Sequence, residues 1–397
     1  MIYRRFGRTG LRMPVLSAGF MRAMHSWRQV PEEEIPRAGQ EKLEAVVRRA
    51  LELGINHFET ARGYGTSERQ LGKALRQLPR GTEYLIQTKV GPADDVGLFR
   101  SDVEDSLERL GHPRVDLLAI HGINDYRSLW QACRPGGCLR MARRLQEEGL
   151  AGYVGFSGHG PPDVLLQAVA HEADGGFDYL NLHWYYIRQE NNPVLREAAA
   201  RDMGVFIISP TDKGGMLQRP PDRLRSLCRP LSPLQFNDLY CLSRPEIHTI
   251  SVGAAEPGNF DEHAAALRHL GGCGDLLAGI DSRLRQAMQA QTGFADPGEQ
   301  GAELPPWQET PGYINLRYIL WLWHLARGWG LVEYGKRQYR KLGYERKWLP
   351  GCNGAAAAQY DLAPAAGAAG MKPDELQELL RTAHALFAGE NGNGKAG

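Results

Sequence analysis

The chain has no C-x-x-C pair, and its six cysteines in 397 residues are scattered: Cys133, Cys138, Cys228, Cys241, Cys273 and Cys352. Thiols spaced this way argue against a disulfide framework and fit a reducing, cytoplasmic setting. Neither sign of charge dominates. Lys and Arg number 47 against 46 Asp and Glu, a formal net charge of +1, so nothing electrostatic draws the chain to nucleic acid or an anionic membrane. Long apolar runs are also missing. The most apolar late stretch, 313–330, carries Arg317, His324 and Arg327 and reads as an amphipathic helix, not a membrane span. The opening MIYRRFGRTG lacks the apolar core of a signal peptide. His, Cys and acidic residues nowhere fall at tight ligand spacing, so no metal site is expected.

What is present is a long alternation of short apolar runs and helical patterns. With 42% hydrophobic residues the chain is able to bury a large core. Gly7 and Gly10 mark turns in a short hairpin over residues 2–14. Strand signals follow at 15–20, around Phe58, and at 84–90, 115–121, 152–157, 179–184, 205–209 and 249–252. Helical patterns separate them, for instance Leu43, Val46, Val47, Ala50 and Leu51 at i, i+3, i+4 spacing, closed by Gly54. Capping boxes are expected at Ser67/Gln70 and at Ser101/Glu104. Eight strands alternating with helices predict a closed (β/α)₈ (TIM) barrel with an N-terminal hairpin. An open doubly wound sheet is disfavoured, because no strand runs into a G-x-G-x-x-G turn.

In such a barrel the C-terminal strand ends assemble chemistry. Here the second strand ends at Glu59, with Tyr64 on the loop beyond it; the third ends at Lys89 and the fourth at His121. A tyrosine with a pKa of about 10 is a poor acid near neutrality, and a neighbouring ammonium favours its phenolate. A carboxylate holds that ammonium charged, while a histidine hydrogen-bonds and orients a carbonyl. Together they suit proton donation to a carbonyl oxygen while hydride reaches the carbon.

The ordered set resembles the aldo-keto reductase superfamily, with its Asp–Tyr–Lys–His tetrad and nicotinamide cofactor. The resemblance makes Tyr64 the general acid, Lys89 its pKa-lowering partner and His121 the carbonyl-orienting group. Glu59 stands at the aspartate position, and Arg62 in the intervening loop competes for its carboxylate. VGFSGHG is similar to the strand-five signature that holds the nicotinamide amide: Ser157 matches, Gly158 replaces the usual asparagine, and His159 compensates. Asn181 stands at the position of a glutamine serving the same amide. Ile208, before Ser209-Pro210, takes the place of a ring-stacking tyrosine, and Lys213 in TDKGGM lies in a loop suited to a pyrophosphate, or is a solvated turn. SVGAAEPGNFDEH resembles the adenosine-binding segment, with Gly253 and Asn259 as cofactor contacts. It holds no Lys or Arg before Arg268, so NADP(H) is expected on family habit, with NAD(H) open.

Beyond the barrel, expected over 1–270, a helical C-terminal extension is expected over 271–390 and a disordered tail over 391–397. LPPWQETPGYINL and CNGAAAAQYDLAP resemble a family branch with a ferredoxin-like extension whose cluster cysteines are replaced here. Only Cys352 remains in that stretch, so no iron–sulfur cluster is expected. The Ala- and Gly-rich run 354–370 reads as flexible. Trp184 is a candidate pocket wall; the loop carrying Met24, His25 and Trp27 reads equally as a substrate wall or as a mobile loop with ordinary side chains, while Tyr185 and Tyr186 read as rim packing. The expected activity is NAD(P)H-dependent reduction of a small aldehyde or ketone. The alternative is a dinucleotide-binding barrel that senses redox state with little turnover. Substrate and oligomeric state are not legible.

Overall fold

The computed structural model describes residues 1–343 and 349–389; the tail expected to be disordered, 391–397, lies outside them. Strands β1 (Tyr3–Arg5) and β2 (Arg12–Pro14) pair antiparallel as the expected hairpin. Gly10, at φ 68°, supplies the left-handed residue its connection needs. Eight parallel strands follow: β3 (Leu16–Gly19), β4 (His57–Glu59), β5 (Leu85–Val90), β6 (Val115–His121), β7 (Ala151–Ser157), β8 (Tyr179–Leu182), β9 (Gly204–Ile207) and β10 (Thr249–Gly253). They neighbour one another in chain order, and β10 pairs with β3 to close the barrel.

Side chains alternate across each strand. One set, including Leu16, Phe58, Ile86, Leu118, Ile120, Val154, Phe156, Leu180 and Val205, packs outward against the surrounding helices. The other set faces the barrel interior. There Leu117, Ala119, Tyr179, Phe206 and Ile208 cluster with Phe6 and Met13 of the hairpin. Phe6 packs at a tilt against Tyr179 at the start of β8, ring centroids 5.7 Å apart, so the hairpin plugs the N-terminal end and leaves the C-terminal end for chemistry. The helix Arg37–Glu52 buries Leu43, Val46, Val47 and Ala50 as its spacing predicts. Each large aliphatic side chain so buried contributes about 1.5–3 kcal/mol.

Both expected capping boxes are absent. Ser67 is the first residue of the helix Ser67–Arg76, and its hydroxyl bonds Thr60 Oγ1 at 2.8 Å instead of closing the helix end. Ser101 lies in mid-helix: Val96–Leu110 begins five residues earlier, where Asp95 accepts from the Gly97 amide. A reciprocal cap does occur elsewhere: the helix Tyr126–Cys133 is capped by Asp125 and Ser128. The run expected to be flexible holds a 3₁₀ segment, Gly354–Gln359, and a short helix, Ala363–Ala368.

The chain forms two compact units. The first comprises Met1–Gly214 and Leu234–Cys273; the second comprises Gly215–Pro233 and the residues from Gly274 onward. The segment Gly215–Pro233, expected within the barrel, thus groups with the C-terminal unit. That unit is helical, with Gly274–Thr292, Leu316–Trp329, Val332–Tyr339 and Pro373–Ala388 as its main helices. Among the described residues no helix is long and apolar enough to cross a membrane.

Candidate functional site

The outward-facing Phe58 puts its neighbours His57 and Glu59 inside the barrel, and the same alternation places Gln87 and Lys89 of β5 inside. Lys89 is 1% exposed. Its Nζ forms an ion pair with Glu59 Oε1 and donates to the backbone carbonyl of Thr60 at 2.7 Å. The ammonium also lies over the Tyr64 ring, 4.7 Å from its centroid. His121, at the end of β6, meets Tyr64 edge-on with ring centroids 5.8 Å apart. Trp27 closes a further side of Tyr64 at 6.4 Å. The four residues expected from the strand ends are therefore neighbours.

The extra methylene of Glu59 finds room because β3 ends in glycine. A Cβ on Gly19 would stand 3.1 Å from Glu59 Oε2 and 2.7 Å from Ser251 Oγ. Arg62 does not compete for this carboxylate. It pairs with Asp102 at 2.8 Å and with Asp105, both on the helix behind the loop. Asp105 in turn holds Arg109 at 2.5 Å, which faces the fully buried Glu68.

Burial governs proton affinity here. It lowers the Lys89 ammonium well below its usual range and, aided by the Lys89 charge, brings His121 down to about 3. His121 is consequently neutral near pH 7. The ammonium was expected to loosen the phenolic proton. In the structure it lies over the ring face, and burial pushes the Tyr64 phenol above its ordinary value.

The candidate cofactor residues divide into two groups. Ser157, paired in register with His121 and Asn181, is fully buried, and its Oγ accepts from the Gly122 amide at 3.1 Å. Asn181 Oδ1 accepts from Gln87 Nε2 at 3.2 Å, whereas its Nδ2 is buried and lacks a hydrogen-bond partner among the described residues. Ile208 packs in the barrel interior, and Ser209 adopts φ 56°, a left-handed conformation unusual for serine. Gly158 faces away from this interior: a Cβ there would stand 2.2 Å from Leu165 Cδ2 and 2.9 Å from the Ile123 carbonyl oxygen, so a side chain such as asparagine requires its neighbours to shift. Lys213 is engaged with two imidazoles, 3.2 Å from His159 Nδ1 and 3.0 Å from His183 Nε2. Gly253 and Asn259 form the second group, at the end of β10. Asn259 Oδ1 accepts from the amides of Ala255 and Glu256, fixing the turn with its side chain.

Several contributors escape a reading of local motifs. His183 and Tyr185 join His159 and Lys213 in one hydrogen-bonded array. Strand phase was the available signal for His183, since it follows the inward Asn181 by two. Two basic side chains reach the β10 turn from distant segments: Arg22 Cδ lies 3.3 Å from the Cβ position of Gly253, and Lys42 pairs with Glu256 at 2.6 Å. Trp184 is no pocket wall. It is fully buried, stacks on Tyr240 at 5.3 Å and donates to Asn192 at 2.8 Å.

Residues 16–261 match the aldo/keto reductase family. The chain belongs to this family. It is 26% identical over 296 residues to L-galactose dehydrogenase of Arabidopsis thaliana, covering 67% of this chain and 88% of that protein. It is 30% identical over 176 residues to L-glyceraldehyde 3-phosphate reductase of Escherichia coli K12, covering 41% of this chain and 46% of that one. D-threo-aldose 1-dehydrogenase of a Pseudomonas species is 24% identical over 339 residues, 70% of this chain and 95% of its own. Among solved structures, the holo form of aldo-keto reductase AKR11C1 from Bacillus halodurans superposes with a TM-score of 0.59 at 20% identity, over 71% of this chain and 96% of that one. At that identity the likeness speaks for the fold.

The family match ends at residue 261 and lends no support to a ferredoxin-like origin for the C-terminal unit. Cys352 there bonds through its backbone, donating to Tyr313 O at 2.7 Å and accepting from the Asn315 amide at 2.9 Å. No group of three or more His, Cys, Asp or Glu residues suited to a metal ion occurs among the described residues.

Proposed function

We propose that this aldo-keto reductase is an NAD(P)H-dependent oxidoreductase that reduces an aldehyde or ketone, with Tyr64 as proton donor. The observation that carries the reading is the convergence of Tyr64, Lys89, Glu59 and His121 at one barrel mouth. The residues present suit a nicotinamide carboxamide. The buried Asn181 Nδ2, without a partner among the described residues, is a donor for its carbonyl, and Ser157 lies beside it in register. Bound there, a reduced nicotinamide supplies hydride to the carbonyl carbon.

The chain's own residues do the rest. Tyr64 gives its proton to the carbonyl oxygen, and neutral His121 hydrogen-bonds and orients that oxygen. Lys89 stabilises the phenolate left behind, while Glu59 and the Thr60 carbonyl keep the ammonium in place. At the β10 turn the Lys42 charge is matched by Glu256 and only the methylene stem of Arg22 comes close, so both NADP and NAD remain open as the cofactor. The C-terminal unit fits a reading as a cluster-free counterpart of a ferredoxin-like extension only in its position after the barrel.

Fluorescence titration with NADPH and NADH, followed by turnover of an aldehyde and quinone panel, tests the proposal. Tyr64→Phe is expected to lower kcat by about 10²–10⁴-fold with cofactor affinity unchanged. An unchanged kcat removes Tyr64 from the acid role. Cofactor binding without turnover of any carbonyl supports the redox-sensor alternative instead.

A further inference from the structure

Five fully buried polar side chains cross the barrel interior, and only the last belongs to the carboxamide seat: Thr249 of β10, Ser17 of β3, His57 of β4, Gln87 of β5 and Asn181 of β8. Ser17 Oγ lies 2.7 Å from Thr249 Oγ1 and 2.7 Å from His57 Nδ1. At the other end, Gln87 Nε2 lies 3.2 Å from Asn181 Oδ1. Between the two ends stand His57 Nε2 and Gln87 Oε1, which bond no other side chain among the described residues. Gln87 pairs with the His57 ring and favours its protonation, as an acceptor does, so it turns its carbonyl oxygen toward Nε2.

Counting protons gives this chain one direction. Burial and the nearby Lys89 charge keep His57 neutral, so the ring carries a single proton. Were that proton on Nδ1, Ser17 would accept from the ring. The Ser17 and Thr249 hydroxyls could then donate only to each other, since Thr249 Oγ1 bonds nothing besides Ser17 among the described residues. One buried hydroxyl proton would be left without an acceptor, which burial penalises. With the proton on Nε2, Thr249 donates to Ser17, Ser17 to His57 Nδ1, His57 Nε2 to Gln87 Oε1 and Gln87 Nε2 to Asn181 Oδ1. Every hydroxyl proton then has an acceptor.

The last link orients Asn181. Its amide carries oxygen and nitrogen on separate prongs, and with Oδ1 turned to Gln87 the free prong is Nδ2. Ser157 Oγ, beside it in register, accepts from the Gly122 amide and has its own proton to give. We infer that Gln87 is a positioning residue: held by His57, it fixes the Asn181 amide with its N–H₂ toward the cofactor. The seat accordingly takes pyridine nucleotides by the carbonyl oxygen of the 3-substituent and leaves the amide nitrogen unread. The inference rests on the reading of Asn181 and Ser157 as the carboxamide seat.

The test uses the full chain, calorimetric titration, and whichever of NADPH and NADH binds tighter, set against its reduced 3-acetylpyridine analogue. That analogue keeps the carbonyl oxygen and replaces the amide nitrogen with a methyl group. The wild type is expected to bind the two within about threefold of each other. In Gln87→Met the Asn181 amide is free to turn. The parent cofactor then meets either prong, whereas the analogue bonds only Nδ2, so the ratio of dissociation constants should widen about three- to tenfold. His57→Phe, which keeps a ring packed edge-on near Phe206, should widen it in the same sense and serves if Gln87→Met does not fold. A barrel merely loosened by substitution weakens both cofactors in proportion. The inference is overturned if the wild type binds the analogue more than about threefold weaker, or if the folded variants leave the ratio unchanged; either result leaves the reductase reading in place. Failure of the wild type to bind NADPH or NADH removes the seat, and this inference with it.

Discussion

Glu59 and Gly19 illustrate how one residue's identity depends on another's. The longer acid occupies space that a side chain on β3 would fill, and a Cβ at Gly19 would approach both Glu59 and Ser251. Gly19→Ala should therefore displace the carboxylate, destabilise the fold by about 1–3 kcal/mol and reduce kcat. Adding Glu59→Asp, which retracts the carboxylate by one methylene, should recover part of both losses. Thermal unfolding and steady-state kinetics on the two single variants and the double variant decide it. Additive losses in the double variant would show that the two positions are not coupled.

At the scale of elements, the loop from β4 to the helix Ser67–Arg76 carries the proposed acid and is clamped from outside the barrel. Its Arg62 amide donates to the Lys89 carbonyl at 3.0 Å, while the guanidinium is held by Asp102 and Asp105. Removing that clamp lets Tyr64 shift relative to a bound carbonyl. Arg62→Met is expected to lower kcat about ten- to a hundredfold, the scale of a displacement near 1 Å, with an unchanged circular dichroism spectrum. An unaltered kcat would show that the loop holds its position without the clamp. Strand ends were legible because period-two alternation and strand phase are local properties: Glu59, Lys89 and His121 all fall where the apolar runs stop. The partners of Arg62 were not, since they lie some 40 residues on and depend on which face of the helix Val96–Leu110 turns inward. Capping failed for a related reason: Ser67 had a tertiary partner in Thr60 that outcompeted the local bond.

For the molecule as a whole, buried histidines set the response to acid. His57 and His121 are brought down to about 3, and His248 to about 4, chiefly by burial. An unfolded histidine titrates near 6.5, at about that value for model peptides. Between these limits the unfolded chain binds more protons, so stability falls as pH drops below about 6.5. His57 and His121 each contribute a slope of up to about 1.4 kcal/mol per pH unit. Glu68 has the opposite sign: burial raises it to about 7, so its contribution is present below its unfolded pKa and lost as pH rises through 7. Urea unfolding from pH 7 to 5 should show declining stability, and Glu68→Gln should make the decline steeper. A flat profile would mean these histidines are protonated in the folded protein. The barrel itself was legible in its entirety from alternation. The grouping of Gly215–Pro233 with the C-terminal unit was not, because it follows from packing between segments distant in the chain.

One of the two anchors on Lys89 is the peptide oxygen of Thr60. No substitution at residue 60, save one that reshapes the backbone, deletes it. Replacement of the acid at 59 therefore leaves the amine tethered on one side, and drift at that position in descendants of this chain would erode turnover by degrees instead of abolishing it in one step.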